Sequence, residues 1–188
     1  AGAPVDGLFG RGLRLKAGQP LVLDGPRFSP HRPLAILCWW RLPNPRRDQA
    51  FQLVGLNNDG QAFVRVIARE EGFGGLPNPT LFLQAYNLAG NQNVDAFLDR
   101  DPFANLGLPA RSWYHLALVF RAARVIEVYL DGHRIAAHTL VGTGLAPDHR
   151  LERIVVGSPY ASANSDIEID ELLVLDRAPA ADDLAAYM

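Results

Sequence analysis

Between Trp113 and Gly132 the chain reads Trp-Tyr-His-Leu-Ala-Leu-Val-Phe-Arg-Ala-Ala-Arg-Val-Ile-Glu-Val-Tyr-Leu-Asp-Gly, and no other stretch restricts the fold as much. Alternate side chains of an extended segment point to opposite faces. Trp113, His115, Ala117 and Val119 therefore share one side, and Tyr114, Leu116, Leu118 and Phe120 the other. Both sides are apolar except at His115, which predicts a strand in the middle of a sheet, covered above and below. Trp113, Ala117, Val119 and Ile126 are expected to be buried, and His115 to be held inside by a hydrogen bond. A second strand follows, with Ile126, Val128 and Leu130 on one face and Glu127 and Tyr129 on the other. Asp131-Gly132 ends it with a pair that tolerates positive φ, the requirement of a type I′ hairpin.

The rest of the chain repeats this grammar of short apolar runs and turn residues. Residues 34–41, Leu-Ala-Ile-Leu-Cys-Trp-Trp-Arg, are a continuous apolar run between Pro33 and Pro43, as in a buried strand that stops sharply. Cys38 shares a face with Ile36 and Trp40 and reads as a small buried hydrophobe. The adjacent Trp39 and Trp40 must face opposite ways, and the pattern does not say which is core. Residues 51–56 and 61–68 flank Asn57-Asn58-Asp59-Gly60 as a hairpin. Further strands are expected at 11–16, 20–23 (ending in a turn at Asp24-Gly25-Pro26), 80–86, 133–140, 151–156 and 166–175. Residues 70–78 read as a loop, and Asn87 to Ala110 as a long irregular one. Pro179 suits the first turn of a short helix, with Asp182 and Asp183 near its positive end and Leu184 and Tyr187 on one face.

Bulk properties narrow the function classes. A chain of 188 residues is long enough for one sizeable core, and without internal repeats it is expected to form a single domain over residues 1–188. A net charge of −2 gives no reason to expect a nucleic-acid partner. No run approaches the roughly 18 apolar residues of a membrane span, so membrane insertion is not expected either. Cys38 is the only cysteine and excludes an intrachain disulfide.

Three stretches, in order, resemble a known family. Trp113-x-His115-x-Ala117-x-Val119 with Val128-Tyr129-Leu130-Asp131-Gly132 is similar to the central signature of laminin G-like domains of the concanavalin A-like class. Gly7-Leu8-Phe9-Gly10-Arg11-Gly12-Leu13 resembles the opening segment of that family, and Ile169-Asp170-Glu171 through Arg177-Ala178 its closing one. The resemblance implies an all-β, two-sheet antiparallel jelly-roll sandwich with a short C-terminal helix. It also implies a secreted or cell-surface setting and a binding or adhesion role toward a glycan or an extracellular protein. Many relatives hold calcium at a sandwich rim. The position this carries over is Asp170, with Asp6 or Asp24 as a conjectured companion. Calcium takes 6–8 oxygens, and the Asn- and Asp-rich segment 87–110 offers them, although the same residues are ordinary turn formers.

Two site hypotheses compete. Glu168-Ile169-Asp170-Glu171 is similar to the Glu-x-Asp-x-Glu strand of jelly-roll glycosidases, where two glutamates on one face flank the scissile bond. Here Glu168 and Asp170 share a face, Glu171 is out of phase, and position 172 is leucine, so hydrolysis is not expected. A glycoside hydrolase or polysaccharide lyase remains the alternative reading, and a structural spacer a third. The favoured reading is a non-catalytic binding module. Its candidate ligand face is the set of polar and aromatic residues flanked by inward neighbours: Gln52, Arg65, Gln84, Tyr86, Glu127 and Tyr129. Should several share one sheet, they would form a surface able to hydrogen-bond and stack a sugar or peptide.

Overall fold

The computed structural model describes residues 2–28, 33–43, 50–58, 62–69, 80–88, 92–97, 112–121, 125–139, 151–157 and 166–188. They form strands β1 (Ala3–Asp6), β2 (Arg11–Leu15), β3 (Leu21–Phe28), β4 (Leu34–Arg41), β5 (Ala50–Asn58), β6 (Ala62–Arg69), β7 (Thr80–Leu88), β8 (Gln92–Phe97), β9 (Tyr114–Arg121), β10 (Val125–Leu130), β11 (His133–Thr139), β12 (Leu151–Val156) and β13 (Ile167–Leu175). A short helix, α1 (Ala181–Leu184), follows, continued by a 3-10 turn over Ala185–Tyr187.

All pairings are antiparallel and make two sheets. One has seven strands in the order β1-β2-β13-β4-β9-β10-β11, the other six in the order β3-β12-β5-β6-β7-β8. The predicted sandwich is therefore present, and β9 sits inside its sheet between β4 and β10 as its two-sided apolar pattern requires. Leu116, Leu118 and Phe120 join Ile36, Cys38, Trp40, Ile126, Val128, Leu130 and residues of the other sheet in the core between the layers. On the far face of the seven-stranded sheet Ala35, Leu37, Ala117, Val119 and Tyr129 pack with Leu184 of α1. The C-terminal segment thus seals what would otherwise be an open apolar sheet face. Asp131 and Gly132 have φ values of 46° and 76°, the positive pair of the expected hairpin turn.

The core resolves the tryptophan ambiguity: Trp40 is 2% exposed between the sheets, while Trp39 lies half-buried on the far face. Trp113 departs from expectation. It precedes β9 by one residue and is only partly buried, its ring carrying the Arg41 guanidinium at 4.6 Å. The Cys38 thiol is buried, which pushes its pKa up to about 12 and leaves it a packing group.

Four expectations about elements shift. β3 runs through Asp24-Gly25-Pro26 rather than turning there; as an edge strand it tolerates a proline without an N–H, and a register shift against β12 absorbs the distortion. β1 is added because the Gly7–Gly10 turn, closed by the Gly7 N–H to the Gly10 carbonyl at 2.8 Å, folds it onto β2. β8 emerges from the segment read as irregular, paired to β7; residues 98–111 lie outside the described residues. α1 begins at Ala181, and Pro179 stands just ahead of the Ala180 cap.

The last strand carries the most consequential irregularity. Ile167 and Ile169 face the core and Glu168 and Asp170 face outward. Glu171, at φ 47°, then forms a bulge that shifts the register between Asp170 and Leu173. Beyond it the phase is inverted: Leu172 and Val174 reach the core and Leu173 and Leu175 the outer cluster under α1.

Candidate ligand-binding faces

The six candidate residues divide between the two sheets. Gln52, Arg65, Gln84 and Tyr86 belong to β5, β6 and β7 of the six-stranded sheet, and Glu127 and Tyr129 to β10 of the seven-stranded one. Register places one residue from each strand of the smaller sheet in a single row, Val22, Val155, Gly55, Arg65, Gln84 and Asp95. Val54, Leu56, Val64, Val66 and Leu83 face the core, so the row lies on the outer surface. Across it Arg65 donates from Nε and Nη2 to Gln84 Oε1 at 2.9 and 2.6 Å. Tyr86 is placed two residues further along β7, opposite Phe63.

Gln52 sits beside the register shift of β5 and is 3% exposed. Its Nε2 donates to the Val155 carbonyl at 3.3 Å, and its Oε1 is buried without a partner. Gly55 makes room for this: a Cβ there would stand 3.2 Å from Gln52 Nε2 and 2.9 Å from Arg65 Cβ. An orphaned acceptor on an outer sheet face is the kind of group a ligand hydroxyl satisfies, since leaving it unpaired costs about 1–3 kcal/mol. Gly55 and Val155 carried no separate signal in the sequence; only the register brings them beside Arg65.

Glu127 and Tyr129 are 6% and 2% exposed and serve a different purpose. Tyr129 Oη donates to Glu127 Oε2 at 2.9 Å, Arg121 Nε donates to the same oxygen at 2.6 Å, and Arg134 Nη1 reaches Oε1 at 3.3 Å. Arg121 Nη2 also donates to the Pro179 carbonyl at 3.1 Å. The cluster thus fastens the segment leading into α1 to the sheet. Burial pushes the Glu127 carboxyl up, but the hydrogen bonds from Arg121 and Tyr129 and the arginine charge outweigh it, so its pKa lies below the ordinary value. Parity identified the face correctly; it could not reveal that α1 covers it.

The carboxylates of β13 are also engaged. Glu168 is fully buried between Arg14 of β2 and Arg41 of β4, each its register partner and each in an ion pair with it. Asp170 Oδ2 accepts the backbone N–H groups of Leu8 at 2.7 Å and Phe9 at 3.0 Å, and Oδ1 that of Glu171 at 2.9 Å. Three N–H groups thus already hold this carboxylate, and their positive ends oppose a cation on the sides they occupy. Of the conjectured companions, Asp6 ends β1, and Asp24 lies on the edge of the other sheet beside Arg153 at 3.8 Å. Among the described residues no group of three His, Cys, Asp or Glu side chains converges on a metal position.

His115 is 2% exposed, as expected, but its ring is not held as the sequence suggested. Its backbone N–H donates to Asp131 Oδ1 at 2.7 Å, while the ring Nδ1 is buried without a partner. The ring lies 5.3 Å from Trp39, whose own Nε1 is equally orphaned, and Phe9 stands edge-on to Trp39 at 5.9 Å. Burial lowers the His115 pKa to about 4 and keeps the imidazole neutral near pH 7.

Comparison with known proteins agrees with this architecture. A family model described as the concanavalin A-like lectin/glucanases superfamily matches residues 18–185. No curated protein sequence matches. Among solved structures, the chain is similar to the binding domain of Paraclostridial mosquitocidal protein 1, with a TM-score of 0.74 and 15% identity over 98% of this chain and 44% of that one. It is similar to the botulinum neurotoxin serotype G binding domain, with a TM-score of 0.70 and 10% identity over 100% and 44%. It is also similar to domain 4 of AbnA, an extracellular arabinanase from Geobacillus stearothermophilus, in complex with arabinotriose. There the TM-score is 0.70 and identity 16% over 100% of this chain and 81% of that one. The chain thus spans less than half of the toxin binding domains it resembles, and at such identities the likeness concerns the fold. The two toxin structures are binding domains, and the third holds arabinotriose.

Proposed function

The chain belongs to the concanavalin A-like lectin/glucanases superfamily, and from that premise we propose that it is a non-catalytic module that binds a carbohydrate through the outer face of its six-stranded sheet. The observation that carries the reading is the row Gly55-Arg65-Gln84 with the buried, unpartnered Oε1 of Gln52 beside it. A guanidinium and a carboxamide locked side by side offer directional polar groups of the kind that recognise sugar hydroxyls, and Gln52 offers an acceptor. The arabinotriose complex of the AbnA domain supports a sugar as ligand of this fold, although fold alone does not transfer function. The extracellular setting of that arabinanase likewise supports an extracytoplasmic place for this chain. The described residues contain no helix long and apolar enough to cross a membrane.

A glycosidase reading has less support. Retaining hydrolysis needs two free carboxyls about 5–5.5 Å apart. Glu168 is buried under two arginines and Asp170 is held by three N–H donors. Screening on a glycan and polysaccharide array, followed by calorimetry on each hit, tests the proposal. Binding that weakens at least tenfold in both Arg65→Ala and Gln52→Ala, with unchanged melting temperatures, is the expected result. Reducing-sugar release that disappears in Glu168→Gln, or binding indifferent to both substitutions, would overturn it.

A further inference from the structure

The outer face of the seven-stranded sheet carries a charged row that the proposed sugar face does not use. Arg14, Glu168 and Arg41 lie side by side on β2, β13 and β4. Glu168 is buried, and a different arginine takes each of its carboxylate oxygens. Arg14 donates to Oε1 from Nε at 2.8 Å and from Nη2, and Arg41 donates to Oε2 from Nε. Arg41 Nη2 also donates to the Asp6 carbonyl at 3.3 Å. One nitrogen of each guanidinium, Nη1, is left over. Among the described residues neither Nη1 has a partner and neither is a buried atom, so both are open to solvent, on side chains 39% and 28% exposed. The row also holds two positive charges against one negative. A single arginine suffices to chelate a carboxylate, and among the described residues no other acid forms an ion pair with either guanidinium. A buried anchor thus keeps two cations close together beside solvent with one charge uncompensated, which favours an anion.

We propose that this arginine pair binds the carboxylate of a uronic-acid residue in an acidic polysaccharide. The ligand carboxylate repeats from the solvent side what Glu168 does from beneath, one oxygen to Nη1 of each arginine. Guanidinium donors of fixed geometry match a planar carboxylate better than a lysine's point charge would. Trp113 favours a sugar over an acidic peptide as the source. It stands next to Arg41, part-buried, with the guanidinium 4.6 Å from its ring centroid. A sugar ring bonded directly to its carboxylate brings C–H groups to that indole, whereas aspartate or glutamate brings only a thin methylene stem. The site lies on the sheet opposite Arg65 and Gln84 and does not depend on them.

The probes are trimers of galacturonate, mannuronate and glucuronate, each beside its methyl ester, which keeps the ring and loses the charge. Calorimetry at about 0.1 M salt screens unspecific attraction. At least one acid trimer should bind and its ester should not. Affinity should fall about tenfold in Arg14→Gln, which leaves Glu168 its bond to Arg41. Arg14→Lys keeps the charge and loses the fork, so it should hold the melting temperature and still lose about fivefold. That variant decides the matter if Arg14→Gln fails to fold. No binding by any acid trimer, an ester that binds as well as its acid, or full affinity in Arg14→Lys refutes the site. A glutamate-rich peptide or acetate alone that matches the trimers refutes the sugar. Binding lost in Arg65→Ala but kept in Arg14→Gln puts the uronate on the six-stranded sheet, which overturns this site and leaves the proposed function standing.

Discussion

Asp170 and Leu8, 162 residues apart in sequence, are joined by a 2.7 Å hydrogen bond from the Leu8 backbone N–H to the Asp170 carboxylate. The second bond, from Phe9, makes the carboxylate a clamp on the opening turn. Asp170→Asn keeps the shape, but replaces a charged acceptor by a neutral amide that can offer only one carbonyl oxygen. A loss of about 1.5–3 kcal/mol is expected, the range for hydrogen bonds to charged groups. Thermal melts in calcium and in chelator should show the same loss in both buffers. A loss confined to the calcium buffer would restore Asp170 as a metal ligand.

Glu168→Gln should cost about 2 kcal/mol. Breaking a fully buried ion pair costs roughly 3–5 kcal/mol, but Arg14 and Arg41 both reach solvent and recover part of it. Urea denaturation measures the difference, and an unchanged midpoint would mean the arginines hold nothing in place.

His115 should make the fold acid-sensitive. Its folded pKa of about 4 lies below the ordinary 6.5, so the unfolded chain binds the extra proton between those values. Stability is full above about pH 6.5 and declines as pH falls toward 4, by an order of 3 kcal/mol at most. Glu127, whose carboxyl is held low by Arg121 and Tyr129, adds its own loss only at lower pH, as the medium passes below the ordinary carboxylate value and through the folded one. Melting temperatures across pH 7 to 4 should therefore slope downward in the wild type. In His115→Phe the slope between pH 6.5 and 4 should flatten, whatever that variant does to absolute stability.

Core packing ranks two neighbouring positions in an order opposite to side-chain size. Leu118→Ala empties a site with 0% exposure and should cost about 2–5 kcal/mol. Trp113→Ala removes a half-buried ring and its contact with Arg41, and about 1–2 kcal/mol is expected. Chemical denaturation of the two variants side by side decides the order.

Trp113 also illustrates what the sequence could convey. Period-two patterning located β9 and β10 and their hairpin, because a buried strand must write its burial into alternate residues. It overreached at Trp113, where the pattern continues one residue past the last ladder pair with β4, Trp40 with Tyr114. Parity likewise put Glu127 and Tyr129 on the correct face, yet whether a face is open depends on what lies over it. That was decided by residues 178–187, which the strand itself does not mention. Arg65 and Gln84 were legible as outward residues, but their adjacency comes from register, a relation between strands. The bulge at Glu171 left no mark at all: a glutamate with positive φ is tolerated there because both halves of β13 gain by the change of phase.

The order of strands in the larger sheet has a temporal meaning. In the strand ladder β1 and β2 pair with the remainder only through β13, and β13 alone lies between β2 and β4. Residues 3–15 leave the ribosome before the other strands of this sheet, but the strand that pairs with them is the last to be made. A chain arrested after Gly157 holds β3 through β12 and still lacks the strand that pairs with β2. The β1–β2 hairpin must wait for its partner strand through some 150 residues of synthesis, several seconds or more at ordinary elongation rates. Its shortness and its Pro4, which has no N–H to offer a neighbouring strand, suit it to that wait.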